Sequence, residues 1–214
     1  MNTAGGGTLS LILYAAVYIV GVRYLLTRRE PPGHPSLTGA MVLWLIVAIP
    51  SLIGLASPAL YDALSRQPEA IEQGQIWRLL TSTVVQDGGV AGTVFNLITL
   101  AFTAALAFRL LRPGAALITF TVGAVGFNAA AAYVWHAPGA GNSGATFFLL
   151  AATAMIRSLQ RRTGPGGIVT SVIAAAGIVL SFTNDAHGTA ILGGLLFGAL
   201  VTAFGHALPE FSAL

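Results

Sequence analysis

The sequence predicts an all-α, polytopic membrane helix bundle, and three observations carry this prediction. Of the 214 residues, 55% are hydrophobic and only 8% are charged, and the mean hydropathy is +0.80. Soluble domains carry about 25% charged residues, so this chain lacks the polar side chains that a water-facing surface needs. Its apolar residues also fall into seven runs, each close to the roughly 20 residues that a membrane-spanning helix requires.

The seven predicted spans take up most of the chain, which indicates one domain without a soluble appendage. They are 8–27, 38–60, 89–111, 114–136, 143–160, 167–183 and 186–206. The first span has no positively charged leader before it and no small-residue cleavage site after it. We therefore interpret it as a retained helix and not as a signal peptide. The longest connection, 61–88, is predicted to be a loop.

Arginine placement predicts the orientation of the bundle in the membrane. If the spans alternate, eight of the ten basic residues, all arginines, fall on one side: Arg23, Arg28, Arg29, Arg109, Arg112, Arg157, Arg161 and Arg162. Arginine-rich short loops stay in the cytoplasm, so the N-terminus is expected outside and the C-terminus inside a cell membrane. Because the arginines lie at helix ends, the expected partner is the lipid bilayer and not nucleic acid. The many alanines and the lack of lysine indicate a bacterial genome.

Two predicted helices begin with residues that suit nucleophilic catalysis. Ser143 opens the fifth span and His187 opens the seventh, and the alternation of spans places both at the external face. A serine hydroxyl is a weak nucleophile until a base removes its proton, and histidine, with an ordinary pKa of about 6.5, suits that task. The N–H groups at the start of a helix can stabilise an oxyanion.

Each of these residues also has an ordinary structural interpretation. Ser143 can be a helix N-cap, and His187 can be an interfacial histidine bound to a loop carbonyl. Asn96, one helix over, either donates to an oxyanion or ties two helices together. Asp185 is expected to face the external water, which leaves no buried carboxylate as the third member of a triad. The pattern shows no spacing of metal ligands and no phosphate loop, so no metal or cofactor is predicted.

Small residues recur at four-residue spacing along the last predicted helix. Ala190, Gly194 and Gly198 share one face with His187. Such a face lets two membrane helices approach closely, so it can bring His187 against the helix that begins at Ser143. Packing alone also accounts for these glycines.

Together these features resemble the rhomboid family of intramembrane serine proteases, over about 130 residues from Gln75 to Gly205. The similar segments, in chain order, are Trp77-Arg78, Phe95-Asn96-Leu97, Gly141-Asn142-Ser143-Gly144 with Phe147 one turn later, and Asn184-x-Ala186-His187 with the ladder Ala190, Gly194 and Gly198. The resemblance implies a rhomboid-like six-helix core at 38–214, preceded at 1–37 by an extra N-terminal transmembrane helix and a cytoplasmic loop.

The same resemblance implies roles for individual residues. It makes Ser143 and His187 a catalytic dyad, with Asn96 and the Ser143 backbone N–H as the oxyanion site. Trp77 and Arg78 would brace the long external loop, and the aromatic ring of Phe147 would pack on the histidine. The remaining positions, Gly141, Gly144, Gly194 and Gly198, would be structural. The implied substrates are transmembrane segments of other proteins, cut near their external ends, and no oligomeric state is implied.

This chain departs from the family pattern at three places. Gly92 stands where the family usually has a histidine, four residues before the asparagine, and one oxyanion donor can be worth ~3 kcal/mol of transition-state stabilisation. Gln86 and Asp87 stand where a histidine is frequent. A second register of the glycine ladder would put Ile191 at the base position. The alternatives are therefore an inactive rhomboid-like protein that binds membrane clients and, third, a small transporter or channel.

Overall fold

The structure, a computed structural model, describes residues 7–27, 37–160, 164–204 and 211. Over these ranges it is an all-α bundle, which confirms the predicted fold class. The described helices are α1 (Thr8–Leu26), α2 (Leu37–Ala56), α3 (Pro58–Leu64), α4 (Pro68–Glu72), α5 (Arg78–Thr81), α6 (Gly89–Leu110), α7 (Pro113–Tyr133), α8 (Ser143–Gln160), α9 (Gly166–Phe182) and α10 (His187–Phe204), with a 3-10 helix at Ser82–Val84 after α5.

A long helix lies at each of the seven predicted spans. Among the described residues, five helices are long and apolar enough to cross a membrane, namely α1, α2, α6, α7 and α10. The chain therefore spans a membrane. Of the other two, α9 has only 17 residues, and α8 carries more polar side chains. Since α8 packs against α1, α6, α7, α9 and α10, these neighbours shield it from lipid and most of its residues are buried.

The second predicted span, 38–60, extends past the end of the helix that the structure has there. Helix α2 ends at Ala56 and a separate helix begins at Pro58. Proline fits the first position of a helix because it has no backbone N–H to leave unpaired. Ser57 caps the new helix, since its hydroxyl oxygen accepts a hydrogen bond from the Leu60 backbone N–H at 3.3 Å.

The connection between α2 and α6 contains three short α-helices and the 3-10 helix, and a buried arginine makes hydrogen bonds across it. The Arg78 guanidinium donates to the Gln75 side chain at 2.7 Å and to the carbonyl oxygens of Asp62 at 2.8 Å and Ser65 at 2.7 Å. Arg78 thus links three points of this connection by hydrogen bonds. Trp77 is 53% exposed. The hydrogen bonds described across this connection are made by Arg78 and not by the Trp77 side chain.

The two ends of the bundle differ in their residues. At one end, the loop before α8 pairs with the 57–88 connection, where the backbones of Arg66 and Gly139 exchange two hydrogen bonds. At the other end, Arg23 of α1 lines a cleft with Pro165 and Val169 beside α9. Four of the arginines used to predict orientation lie outside the described residues, namely Arg28, Arg29, Arg161 and Arg162.

Helices α8 and α10 pack closely because α10 has glycines at the contact. A Cβ atom added at Gly194 would lie 2.5 Å from the Phe148 carbonyl oxygen. One added at Gly198 would lie 2.6 Å from the Ala152 carbonyl oxygen. Both obstacles are backbone atoms, which cannot rotate away as a side chain can. The glycines of the ladder are therefore what allows this helix spacing.

Candidate active site

Ser143 and His187 are the first residues of α8 and α10, and the α8–α10 contact brings them together. Ser143 Oγ lies 2.8 Å from His187 Nε2, which is within hydrogen-bond distance. In the alternative register, Ile191 would have faced the serine. Instead, Ile191 is fully buried beside Gly177 of α9. The register that places His187 opposite Ser143 is the one the structure has.

Asp185 is buried, and the expectation that it faces external water was wrong. Its side chain is 1% exposed. One carboxylate oxygen, Oδ1, lies 2.9 Å from His187 Nδ1 and also accepts the His187 backbone N–H at 3.0 Å. A hydrogen bond from an Asp side chain to the backbone N–H two residues later is called an Asx turn. Here it holds the Asp185 carboxylate beside the first residue of α10. The turn thus supplies the third group of a Ser–His–Asp arrangement.

The charge state of Asp185 follows from its partners. Burial raises the pKa of this carboxyl, but hydrogen bonds from His187 and Tyr14 and the charge of His187 outweigh burial, and they hold the pKa below its usual value. The group is therefore an ionised carboxylate at neutral pH. A carboxylate accepts hydrogen bonds and cannot donate them. His187 Nδ1 must then carry the hydrogen that it shares with Asp185.

Tyr14 of α1 completes this set of hydrogen bonds. Its hydroxyl donates to Asp185 Oδ2, and its oxygen lies 2.9 Å from His187 Nδ1. Because the tyrosine has a single hydroxyl hydrogen, which goes to the carboxylate, its oxygen is a second acceptor for the Nδ1 hydrogen. In the neutral form of the imidazole, Nε2 is therefore the nitrogen without a hydrogen, and it faces Ser143. A general base requires this tautomer.

Three aromatic rings surround the His187 imidazole. Ring centroids lie 4.8 Å away for Tyr14, 5.1 Å for Phe127 and 5.9 Å for Phe147. Phe147 meets the imidazole edge-on, so it packs on the histidine as the sequence predicted. Gly144 has a specific part in this packing, because a Cβ there would overlap the Phe127 ring. The glycine after the serine thus leaves room for one of the rings that hold the base.

A network of amide side chains lies on the other side of Ser143. Asn96 Nδ2 donates to Gln86 Oε1 at 2.9 Å, and Gln86 Nε2 donates to Asn142 Oδ1 at 2.8 Å. The hydrogen bond described for Asn96 uses one of the two hydrogens on its amide nitrogen, so the second can serve another acceptor. Asn96 therefore ties α6 to neighbouring segments, which is one of the two predicted alternatives, and it lines the same cavities as Ser143. Donation to an oxyanion stays a prediction.

Gly141 lies where this network meets the turn before α8. Its φ of +141° is a conformation that side chains disfavour. A Cβ at this position would lie 3.3 Å from Gln86 Oε1 and 3.4 Å from Asn96 Nδ2. A side chain at position 141 would therefore stand between Ser143 and the amide groups of Asn96 and Gln86. Glycine leaves that space open.

Gly92, which departs from the family pattern, lies in a tight turn at the start of α6. A Cβ at this position would lie 2.7 Å from the Asp87 carbonyl oxygen. The preceding Gly88 has a φ of +81°, which allows the chain to turn this sharply. A histidine at position 92 would require this backbone to move.

Two cavities meet at the Ser143–His187 pair. One, of about 210 Å³, is almost entirely apolar and lies between α1 and α6; its lining includes Leu11, Tyr18 and Phe95. The other, of about 340 Å³, lies under the loops and is lined in part by Arg66 and Asp87. Asn96 also borders both cavities. The serine is thus approached by an apolar path from one side and a polar path from the other.

No family model, curated protein or solved structure matches this chain. The site must therefore be interpreted from its own geometry. Among the described residues, no group of three or more His, Cys, Asp or Glu side chains is arranged to hold a metal ion.

The hydrogen bonds that Asp185, Tyr14 and Gln86 make at this site were not predicted from the sequence. The spacing Asp-x-His at the start of a helix could have indicated the contact between Asp185 and His187. In an Asx turn, the carboxylate bonds to the backbone of the residue two positions later, which here is His187. Tyr14 gave no such signal, since it is 173 residues away from His187 in the chain. Gln86 was singled out only as the replacement for a histidine.

Proposed function

We propose that this protein is an intramembrane serine endopeptidase of the rhomboid type that cleaves transmembrane segments of other membrane proteins. The observation that carries the proposal is the 2.8 Å contact between Ser143 Oγ and His187 Nε2. The Asp185 carboxylate at Nδ1 supports it, because it favours the tautomer in which Nε2 accepts a proton. The order of the motifs around these two residues adds support.

The reaction follows from this arrangement. Ser143 Oγ attacks the scissile carbonyl carbon while its proton passes to His187 Nε2, which gives a tetrahedral oxyanion. His187 then donates that proton to the leaving amine nitrogen as the C–N bond breaks and the acyl-serine forms. Water attacks the acyl carbon and gives one proton to Nε2. When this second intermediate collapses, the proton returns to Ser143 Oγ and the new carboxylic acid leaves.

The oxyanion would be stabilised at the start of α8. The first N–H groups of a helix have no intrahelical acceptor, so the Ser143 N–H is available to a substrate oxygen. The Asn96 amide would supply a second donor, oriented by its hydrogen bond to Gln86. Each such donor contributes on the order of 3 kcal/mol to transition-state stabilisation. Position 92 has glycine in place of the family's usual histidine, so it supplies no donor. The proposed site would therefore depend on Asn96, which Gln86 holds in place.

The two cavities support a transmembrane segment as the substrate and water as the second reactant. The cavity between α1 and α6 suits an apolar peptide. Besides the groups of the site, its lining carries the hydroxyls of Tyr18, Thr99 and Thr146, and each of these already donates to a backbone carbonyl oxygen. The cavity under the loops contains Arg66 and Asp87 and suits water. We place this second cavity at the external face of a bacterial cell membrane, with the N-terminus outside and the C-terminus in the cytoplasm. Cleavage would then fall near the external end of the substrate helix.

The test uses purified full-length protein in proteoliposomes with a panel of fluorogenic transmembrane substrates. We expect the Ser143→Ala variant to lose at least about 10³-fold in rate, since the nucleophile is removed. Ser158→Ala makes the same chemical change near the other end of α8 and should cleave like the wild type. Labelling by a fluorophosphonate should likewise require Ser143.

Equal cleavage by wild type and Ser143→Ala across the panel would overturn the proposal. If neither protein cleaves but both crosslink equally to unfinished membrane proteins, client binding would be the better account.

A further inference from the structure

Helix α1 reaches the base of the candidate site, although the family resemblance places this helix outside the six-helix core. Its Tyr14 contacts both Asp185 and His187. Four residues further along, the Tyr18 hydroxyl donates to the Thr99 carbonyl oxygen of α6 at 3.0 Å. The helix is therefore held beside the site by polar contacts in addition to apolar packing.

The hydrogen bonds of Asp185 show how α1 can affect the reaction. Oδ1 is used by the ring and backbone nitrogens of His187, and Oδ2 is used by Tyr14. A carboxylate held at both oxygens cannot rotate away from the imidazole. When His187 takes the serine proton it becomes positively charged, and a fixed negative charge beside Nδ1 stabilises that state.

We propose that Asp185 and Tyr14 are positioning residues for His187, so that the N-terminal helix α1 completes the active site. The proposal rests on the proposed function, because it assigns these roles in the same reaction. Asp185 orients the imidazole and balances its charge, and Tyr14 fixes Asp185. The site is then a Ser–His–Asp triad with a tyrosine supplied by another helix.

A purely structural role makes a different prediction. If Asp185 served only to cap α10 and Tyr14 only to attach α1, their loss would lower stability and leave kcat per folded molecule unchanged. A positioning role lowers kcat, leaves KM nearly unchanged and alters the pH profile. Among the described residues, the titratable and charged groups around His187 are Asp185 and Tyr14, which contact it, Tyr18, which lines the apolar cavity with it, and Arg66 and Asp87, which line the cavity under the loops.

The experiment compares full-length Asp185→Asn and Tyr14→Phe with the wild type, using the same substrate in proteoliposomes. We expect kcat to fall at least about 100-fold for Asp185→Asn, because an asparagine in this place cannot balance the imidazolium. For Tyr14→Phe we expect a fall of about 10-fold, with KM within about twofold for both variants, since ground-state binding is untouched. The acid limb of kcat against pH should move to lower pH in Asp185→Asn.

Tyr24→Phe is the matched control. It removes the same hydroxyl from the same helix, about 15 Å further along at 1.5 Å per residue, and should retain wild-type kcat. The unfolding temperature of each variant is measured in parallel. If Asp185→Asn does not fold, the Tyr14→Phe variant decides the question. This variant lacks a single oxygen atom, and both its kcat and its rate of fluorophosphonate labelling are measured.

The outcomes separate this inference from the proposed function. If Ser143→Ala cleaves as fast as the wild type, the proposed function fails and the positioning roles fail with it. If cleavage depends on Ser143 but Tyr14→Phe and Asp185→Asn keep wild-type kcat and pH profile, only the positioning roles are overturned. A loss in Tyr24→Phe equal to that in Tyr14→Phe would also overturn them.

Discussion

The His187 imidazole is restrained by its neighbours in both position and tautomer. Hydrogen bonds from Nδ1 to Asp185 and Tyr14 fix one edge of the ring, and the faces of the ring are covered by aromatic side chains. Tilted and edge-on aromatic contacts of this kind are favourable by about 0.5–1.5 kcal/mol each beyond the area they bury. In the proposed reaction, an imidazole held in this way would stay aimed at Ser143 without reorganisation.

The Gly144→Ala variant tests this restraint at a single residue. The added methyl group would overlap the Phe127 ring, which must move and release the imidazole. Overpacking of this kind costs about 1–3 kcal/mol, so we expect kcat to fall by at least about 10-fold. Gly126→Ala, which places a methyl group in open space on α7, should remain within about twofold of the wild type. Equal kinetics for the two variants would contradict this account of Gly144.

The lowered pKa of Asp185 predicts a specific acid sensitivity. A carboxyl whose pKa is lower in the folded protein stabilises the fold above its unfolded value of about 3.9, and that contribution is lost as pH falls through the folded value. Between about pH 5 and pH 3, the wild type should therefore lose more unfolding free energy than Asp185→Asn does. Thermal unfolding in detergent over this range measures the difference. Parallel curves for the two proteins would contradict the prediction.

At the scale of helices, the contact between α8 and α10 determines where the two reactive side chains meet. Both residues lie at helix starts, so a shift of one helix along the other would separate them. The glycines at this contact set the helix spacing, since backbone atoms of α8 lie where side chains would be. Helix packing and the proposed catalysis would therefore depend on the same residues.

Adjacent glycines on α10 provide a matched test of this contact. Gly194→Ala would place a methyl group 2.5 Å from the Phe148 carbonyl oxygen, a backbone atom. Gly193→Ala would place one 3.3 Å from the end of the Phe148 ring, which can move slightly. We expect Gly194→Ala to lose about 1–3 kcal/mol of stability and most activity, and Gly193→Ala to lose much less. Unfolding temperature and cleavage rate are measured for both, and a larger loss in Gly193→Ala would contradict the packing described.

The sequence predicted the long helices well because a run of about 20 apolar residues matches the thickness of a bilayer. In lipid, such a segment must pair its backbone polar groups internally, and a helix does this. It missed the helices α3, α4 and α5, since elements of four to seven residues leave no long periodic pattern. It also missed the burial of Asp185. That burial depends on the turn at Asn184, whose φ is 58°, and on Tyr14, which comes from a distant part of the chain. Local pattern carries little information about such long-range contacts.

For the molecule as a whole, the two ends of the bundle have different chemistry. One end carries the paired loops, the site and the cavity that contains Arg66 and Asp87. The other carries more arginines: Arg23, Arg109 and Arg157 in the last turns of α1, α6 and α8, and Arg112 at the start of α7. Arginine-rich ends face the cytoplasm, so the site should open to the outside of the cell, where water can reach Ser143.

This orientation can be tested by thiol labelling, because the chain contains no cysteine and any introduced one is unique. Gln73→Cys lies on the exposed connection between α2 and α6, and Gly167→Cys lies in the first turn of α9, where a side chain meets open space. In intact bacterial cells, a membrane-impermeant thiol reagent should label Gln73→Cys at once. It should label Gly167→Cys only after the cells are permeabilised. The reverse pattern would place Ser143 at the cytoplasmic face, and substrates would then be cut near their cytoplasmic ends.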